Sequence, residues 1–286
     1  MSSPEQPRPK FDPLAKRSWT DLGPRFASAV VLIVVTVLGL YFGSYIFAAL
    51  VGAVFAGCYR EWDRMVTLKP LTTVGGILIG MVALSALVYP LFGLLATLGL
   101  IAAAVLVAAA ADREVWLWRV AGLVFFGLVI IALLALRGAA WEGFLAALFL
   151  GIVVWLTDTG AFFTGRQVGG EKLAPDISPG KTWSGAVGGF AIGTLGGLVF
   201  WLFTTTSPWW IGLAIAASIS IVGQIGDLAE SAVKRRFRIK DSGDIIPGHG
   251  GLMDRLDSLT FASLLVFAVG FLHAGFGAVA SGLLHW

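Results

Sequence analysis

Apolar residues run through this chain in long stretches without alternation, broken by short polar segments that become longer and more charged toward the C-terminal third. An uncharged run near 20 residues crosses the hydrocarbon core of a bilayer as a helix. Where water is absent a span must satisfy its own backbone, and non-alternating runs favour helices over barrel strands. The stretch from Phe26 to Tyr59 carries no charge and is too long for one ordinary span, and Gly43-Ser44 offers a break in it. The pattern predicts helices near 26–42, 45–59, 71–89, 91–111, 118–136, 143–164, 183–204, 209–226 and 258–284. That gives an all-α, polytopic membrane domain over 26–286, with about nine spans. Residues 1–25, rich in proline and charge, are expected to form a disordered cytoplasmic tail.

Composition agrees with this architecture. Hydrophobic residues make up 57% of the chain and charged ones 13%, against about 25% charged in soluble domains. With 286 residues so used, no sizeable soluble domain is expected. The single cysteine, Cys58, excludes an internal disulfide. Phe55-Ala56-Gly57 before it faintly resembles a lipoprotein cleavage box, but the preceding apolar run exceeds the roughly 7–15 residues of a signal-peptide core.

The net charge of +3 matters less than where the charges lie. With the N-terminus inside, all but one of the 20 Lys and Arg residues fall in cytoplasmic segments, Arg137 being the exception. This follows the positive-inside rule and puts the polar segments 165–182 and 227–257 in the cytoplasm. The segment predicted as the seventh span carries Gly185, Gly189, Gly193 and Gly197, a spacing that lets another helix backbone approach closely. Packing within the chain and the seam of a homodimer are the two uses open to that stripe.

The candidate chemistry gathers in the two polar segments. Asp227, Glu230, Ser231 and Lys234 are spaced i, i+3, i+4, i+7, and share one face if the eighth span continues as a helix past the membrane. Asp254, Asp257 and Ser258 repeat the arrangement at the start of the last span. Two helix ends with paired carboxylates can converge on one Mg²⁺ and leave positions for phosphate oxygens. Taken alone, Asp254 also reads as a helix N-cap, and Asp227 with Glu230 as a solvated helix end. The turn Pro247-Gly248-His249-Gly250-Gly251 allows close backbone approach, and the helix start beyond it offers N–H groups to an anion. A tight structural turn is the alternative. His249 is a candidate base or metal ligand, or only a hydrogen-bonding loop residue.

Gly180-Lys181-Thr182 imitates the end of a P-loop, but Pro175 stands where its first glycine belongs, so it is no Walker motif. A lysine at a helix start still holds phosphate as a point charge. Asp158 is an acid inside an apolar run, a costly placement that is usually functional; an interfacial helix-end charge is the alternative.

These residues resemble the phosphatidate cytidylyltransferase (CDP-diglyceride synthase) family. The resemblance is carried by Ser231-Ala-Val-Lys234-Arg235, Lys240-Asp241-Ser242-Gly243 and Pro247-Gly-His249-Gly-Gly251-Leu-Met-Asp254-Arg255-Leu-Asp257. It extends to Gly226-Asp227-Leu228 with Glu230-Ser231, to Asp158-Thr-Gly-Ala-Phe-Phe-Thr-Gly-Arg166, and to Ile177-Ser-Pro-Gly-Lys181-Thr-Trp183. The N-terminal half resembles the family only in hydropathy and in Glu61-Trp62. The family commonly has a second lysine where this chain has Gly180 and a glutamate where it has Ser184.

The resemblance implies transfer of CMP from CTP to phosphatidic acid, giving CDP-diacylglycerol and pyrophosphate. It implies a catalytic set of Asp227, Lys234, Asp254 and Asp257, with Asp227 and Asp254 as Mg²⁺ ligands. Asp257 and Glu230 are expected to support that ion or hold a second cation. Substrate contacts are expected at Asp158, Ser178, Lys181, Ser231, Arg235, Lys240, His249, Gly250, Gly251 and Arg255. The expected partners are CTP, phosphatidic acid and membrane lipids, without nucleic acid, and the expected location is a bacterial inner membrane. Two other functions compete: a CTP-dependent kinase of an isoprenoid alcohol, and an ion-coupled transporter built around Asp158. The gathering of charge on one membrane face argues against the transporter.

Overall fold

A computed structural model of the chain describes residues 22–111, 113–243 and 250–286, with side chains from 31 onward except at 32. The predicted tail through residue 21 lies outside the described residues. The helices are α1 (Leu22–Phe42), α2 (Ser44–Thr67), α3 (Thr73–Ala111), α4 (Trp116–Arg137), α5 (Trp141–Val168), α6 (Trp183–Thr204), α7 (Trp209–Arg236), α8 (Asp257–Ala274) and α9 (Val279–Leu284). Two short strands, β1 (Lys172–Ala174) and β2 (Ser178–Thr182), stand between α5 and α6. Six helices among the described residues, α3 to α8, are long and apolar enough to cross a membrane.

Helix α3 is two arms rather than one rod. Gly93 has φ 78 and ψ −173, values open to glycine and three residues after Pro90. The Thr97 hydroxyl donates to the Ser85 carbonyl at 3.5 Å, although residues twelve apart in a straight helix are about 18 Å apart along its axis. The chain therefore doubles back, as the separate spans expected near 71–89 and 91–111 require.

One expected span needs correction. The apolar run 258–284 is not one helix: α8 stops at Ala274, Gly275 turns with φ 81, and α9 folds back. His273 Nδ1 lies 2.8 Å from the Gly282 carbonyl oxygen and closes that turn. Hydropathy reads through the break because the returning segment is as apolar as the helix it covers. The all-α architecture holds and carries one small addition, the β1–β2 hairpin, paired antiparallel with Lys172 opposite Thr182 and Ala174 opposite Ser178. It is too short and polar to show an alternating pattern, and its ends are tied by the Trp183 N–H donating to the Glu171 carbonyl at 3.0 Å.

The glycine stripe of α6 lies against α5. A side-chain carbon at Gly189 would sit 2.5 Å from the Thr157 carbonyl oxygen, and one at Gly193 would sit 2.0 Å from the Thr157 hydroxyl. Only glycine permits that approach, so the stripe is used inside the chain rather than presented to a second copy. Thr157 then donates to the Ser220 hydroxyl at 2.9 Å and joins α5 to α7.

The two ends of the bundle differ in chemistry. At one end Arg137 donates to the carbonyls of Leu40 (2.6 Å), Tyr41 (3.3 Å), Gly138 and Ala140 (both 3.1 Å), capping the α1 and α4 ends. The Ser207 hydroxyl there donates to the Leu284 carbonyl at 2.7 Å, holding the returning C-terminus. The other end carries the β-hairpin, residues 237–243 and 250–256, and a buried Arg119–Asp63 pair at 2.7 Å between α4 and α2. Beside that pair the Trp62 indole N–H donates to the Trp118 carbonyl at 2.8 Å.

Candidate active site

Helix α7 runs unbroken ten residues past the predicted membrane exit at 226, because nothing between Gly226 and Arg236 interrupts it. Asp227, Glu230, Ser231 and Lys234 therefore share a helix with the spacing read from the sequence. Helix α8 opens at Asp257, just after a 3-10 turn at Met253–Arg255 that carries Asp254. On the facing side, Thr182 caps α6 by accepting from the Gly185 N–H at 3.1 Å. This fixes Lys181 at the last residue but one before the helix.

These elements enclose a cavity of about 710 Å³. Asp158 and Arg166 of α5, Lys181 of β2, Gln224, Asp227 and Lys234 of α7, Asp241, Asp254, Arg255 and Asp257 all line it. Of the residues singled out from the sequence, Asp158, Lys181, Asp227, Lys234, Asp254, Arg255 and Asp257 thus meet in one space. Gly251 is buried and reaches the site by donating its N–H to Asp254 Oδ2 at 3.1 Å. Gly250 precedes it in the left-handed region with φ 79.

Others lie away from the cavity wall. Arg235 is exposed and donates to the Ile177 carbonyl at 3.2 Å and the Ile239 carbonyl at 2.8 Å, strapping the α7 end to the hairpin. Ser178 sits on β2, Ser231 is buried in α7, and Lys240 is exposed. His249, with Pro247 and Gly248, lies outside the described residues.

The charges are arranged in linked pairs. Lys181 pairs with Asp227 across the cavity. Lys234 reaches Asp254 at 2.5 Å and Glu230 at 3.1 Å, with all three side chains nearly buried. Asp254 Oδ2 also accepts from the backbone N–H of Ser242 at 2.9 Å. Burial alone raises the Asp254 carboxyl, but donation from Lys234, Ser242 and Gly251 outweighs it and holds the group below the ordinary carboxylate range. Asp158 accepts from the Ser258 hydroxyl at 3.3 Å, and Asp257 from the Ser258 N–H at 2.7 Å.

A divalent cation suits this donor set. Asp158, Asp227 and Asp257 crowd one side of the cavity, where Lys181 pairs with Asp227, and all three offer the hard oxygens that Mg²⁺ prefers. No three His, Cys, Asp or Glu side chains among the described residues close on a single point. Mg²⁺ does not require that, since it is usually held by one or two carboxylates together with substrate phosphates and water. Asp254 has about four acceptor positions, three of them filled, which leaves room for one further bond.

Sequence reasoning gave Glu61 no role. Its carboxylate is buried in α2 and takes three donors from the far end of the chain: Ser242 Oγ at 2.8 Å, and the N–H groups of Leu252 and Met253 at 2.9 Å each. Its signals in the sequence were the family-like pair Glu61-Trp62 and the placement of an acid two residues beyond a long uncharged run.

The fold and cavity define a membrane-embedded helical protein with a carboxylate- and lysine-lined site at one end of its bundle. The family comparison gives that class a name. The chain belongs to the cytidylyltransferase family, whose model matches residues 24–273. It is similar to proteins named phosphatidate cytidylyltransferase: one from Brucella suis, 48% identical over 157 residues that make up 55% of this chain and 58% of that protein. A second, from Bacillus subtilis, is 40% identical over 139 residues, 48% of this chain and 52% of that protein. A third, from Staphylococcus saprophyticus, is 50% identical over 121 residues, 42% of this chain and 46% of that protein. The matches thus span about half the length of these curated relatives.

Proposed function

We propose that the chain transfers CMP from CTP to phosphatidic acid, releasing pyrophosphate and leaving CDP-diacylglycerol in the membrane. The observation that carries this reading is the single cavity in which Lys181, Lys234, Arg166 and Arg255 meet five aspartates at one end of an apolar bundle. A water-soluble triphosphate enters from that end, while a lipid phosphate reaches it from the bilayer surface. The volume lies within the roughly 300–1,000 Å³ of small-molecule sites.

An oxygen of the phosphatidate phosphate bonds to the α-phosphorus of CTP, and the bond from that phosphorus to the bridging oxygen breaks. Pyrophosphate leaves with the bonding electrons. The attacking oxygen is already anionic, so no strong base is needed, and the obstacle is repulsion between phosphates. The chain's contribution is positioning and charge neutralisation. Lys181 and Arg166 line the α5–α6 side and hold the triphosphate; Lys234 and Arg255 line the α7–α8 side, where the phosphates meet. Asp227 and Asp254 would hold Mg²⁺, with Asp158 and Asp257 beside them and room in that acidic corner for a second cation. When bound, the ion neutralises phosphate charge.

The proposed location is a bacterial inner membrane, with the cavity facing the cytoplasm where CTP is found. The two polar segments share one cavity, so reporters fused at Glu171 and at Ser242 should both behave as cytoplasmic. A reporter after Trp286 should behave as external. An external signal at Ser242 overturns this orientation.

The reaction itself is tested with membranes given phosphatidate and CTP labelled at the α- or the γ-phosphate. Cytidylyl transfer moves the α-label into lipid. Transfer of the γ-label instead makes the protein a lipid kinase, and no transfer of either label removes both readings.

A further inference from the structure

The buried carboxylate of Glu61 is far in sequence from every group in the cavity, yet it is bound to the segment that shapes one wall of it. Its two oxygens take the Ser242 hydroxyl, the Leu252 N–H and the Met253 N–H, all at 2.8–2.9 Å. With 2% of the residue exposed, water does not substitute for these bonds. The same segment places its Ser242 and Gly251 N–H groups on Asp254 Oδ2. Glu61 and Asp254 thus grip one short stretch of chain from opposite sides.

The packing around this grip leaves no slack. A side-chain carbon at Gly251 would lie 1.8 Å from Ser242 Oγ, 2.7 Å from Glu61 Oε2 and 2.9 Å from Asp254 Oδ2. One at Gly243 would lie 2.6 Å from Glu61 Oε1. Glu61 is itself fixed from behind, because its neighbours Trp62 and Asp63 are bonded to Trp118 and Arg119 of α4. Helix α2 is therefore anchored to the bundle and holds Ser242, Leu252 and Met253 from that anchor.

We infer that Glu61 is a positioning residue for the reacting centre: through Ser242 and the Gly251–Met253 stretch it sets where the Asp254 carboxylate stands, and with it the Lys234 ammonium. Only the role given to Asp254 rests on the cytidylyl-transfer reading; the mechanical coupling from Glu61 to Asp254 does not. An outer hydrogen-bond partner of this kind typically changes activity or metal affinity about 10–100-fold when altered.

The test uses Glu61→Gln in the full chain in detergent. The amide keeps the shape but turns an N–H donor toward groups that are themselves donors, with no water to mediate. Hydrogen exchange should quicken at Leu252 and Met253, which bind Glu61 directly, and also at Ser242 and Gly251, whose N–H groups bind Asp254. In the transfer assay, kcat per folded molecule should fall about 10–100-fold while KM for CTP moves less than about threefold, because Lys181 lies on another element. Faster exchange confined to Leu252 and Met253 overturns the inference, whatever the activity; so does an unchanged kcat in an active protein. If wild-type protein transfers no label, the functional reading fails and the exchange pattern still decides the role of Glu61. If Glu61→Gln does not accumulate, Ser242→Ala replaces it. That change removes one of the three donors, and it should quicken exchange at Gly251 and lower kcat a few-fold; no change in either overturns the inference.

Discussion

The α5–α6 pair and the α7–α8 pair border the same cavity but are held together by opposite means. Between α5 and α6 the helix backbones approach closely, with Gly185, Gly189 and Gly193 admitting Thr157 and Ala161, and Gly197 admitting Val153, at distances that no side chain would allow. Lipid supplies no hydrophobic force for such a contact, so close van der Waals packing holds it. Around α7 and α8 the contacts are ionic and hydrogen-bonded: Lys234 between Glu230 and Asp254, Asp254 on two N–H groups, and Glu61 on three donors. Packing fixes one wall of the cavity and charge fixes the other. In the proposed transfer, a rigid wall would suit holding the nucleotide, and the charged wall is where the phosphates would exchange partners.

The largest effect is expected on the charged wall. Asp227→Asn or Asp254→Asn keeps size while removing a carboxylate from the proposed cation site, and either should cut turnover at least ~100-fold with membrane abundance retained. Turnover and abundance measured together decide this, and near-normal turnover in either variant removes that aspartate from the site.

Next in size is a break in the packed wall. Gly189→Val drives a side chain onto the Thr157 carbonyl, only 2.5 Å from where its first carbon would stand. Overpacking of this kind costs about 1–3 kcal/mol, with the upper end expected because the partner is backbone. Gly76→Ala, on α3 where nothing lies within 4 Å, should be neutral or gain up to about 1 kcal/mol from helix propensity. Thermal melting of the two variants separates a packing glycine from a lipid-facing one; equal melting would mean that α5 and α6 do not depend on the stripe.

How much of this was legible follows the same division. Hydropathy located the apolar helices α3 to α8, and GxxxG spacing announced close approach, because both are local properties of the chain. The shared face of Asp227, Glu230, Ser231 and Lys234 on α7 was legible once the helix was assumed to continue, and so was Lys181 at a helix start. Glu61 was not: its partners lie 181 to 192 residues away, and no spacing signals them. The Asp63–Arg119 pair, 56 residues apart, was hidden for the same reason. The break at Gly275 was hidden differently, because an apolar segment that folds back has the same hydropathy as one that continues.

The two lysines sharpen the comparison, since each belongs to one wall. Lys181→Ala should raise KM for CTP about tenfold and leave that for phosphatidate nearly unchanged, a charged hydrogen bond being worth about 1.5–3 kcal/mol. Lys234→Ala should instead lower kcat, because it removes charge stabilisation where the phosphates react and leaves Glu230 and Asp254 without their shared cation. Steady-state kinetics per folded molecule distinguishes the two. Should Lys181→Ala leave CTP kinetics untouched, the hairpin is structural and the 227–257 segment alone binds the nucleotide.

The smallest effect is expected where the chain departs from its family's pattern. Gly180 is exposed on β2 and lines the cavity, with nothing within 4 Å of a side chain placed there. Gly180→Lys therefore meets no steric cost and puts a second ammonium beside Lys181. The neighbouring departure, Ser184, donates its hydroxyl to the Gly169 carbonyl and so fixes the end of α5; the hairpin is held without the glutamate common in the family. On the packed wall an added charge should act on binding alone, tightening CTP by no more than about tenfold with kcat unchanged. A fall in kcat would show that the hairpin lysine reaches the reacting phosphates, and that the division of labour between the two walls does not hold.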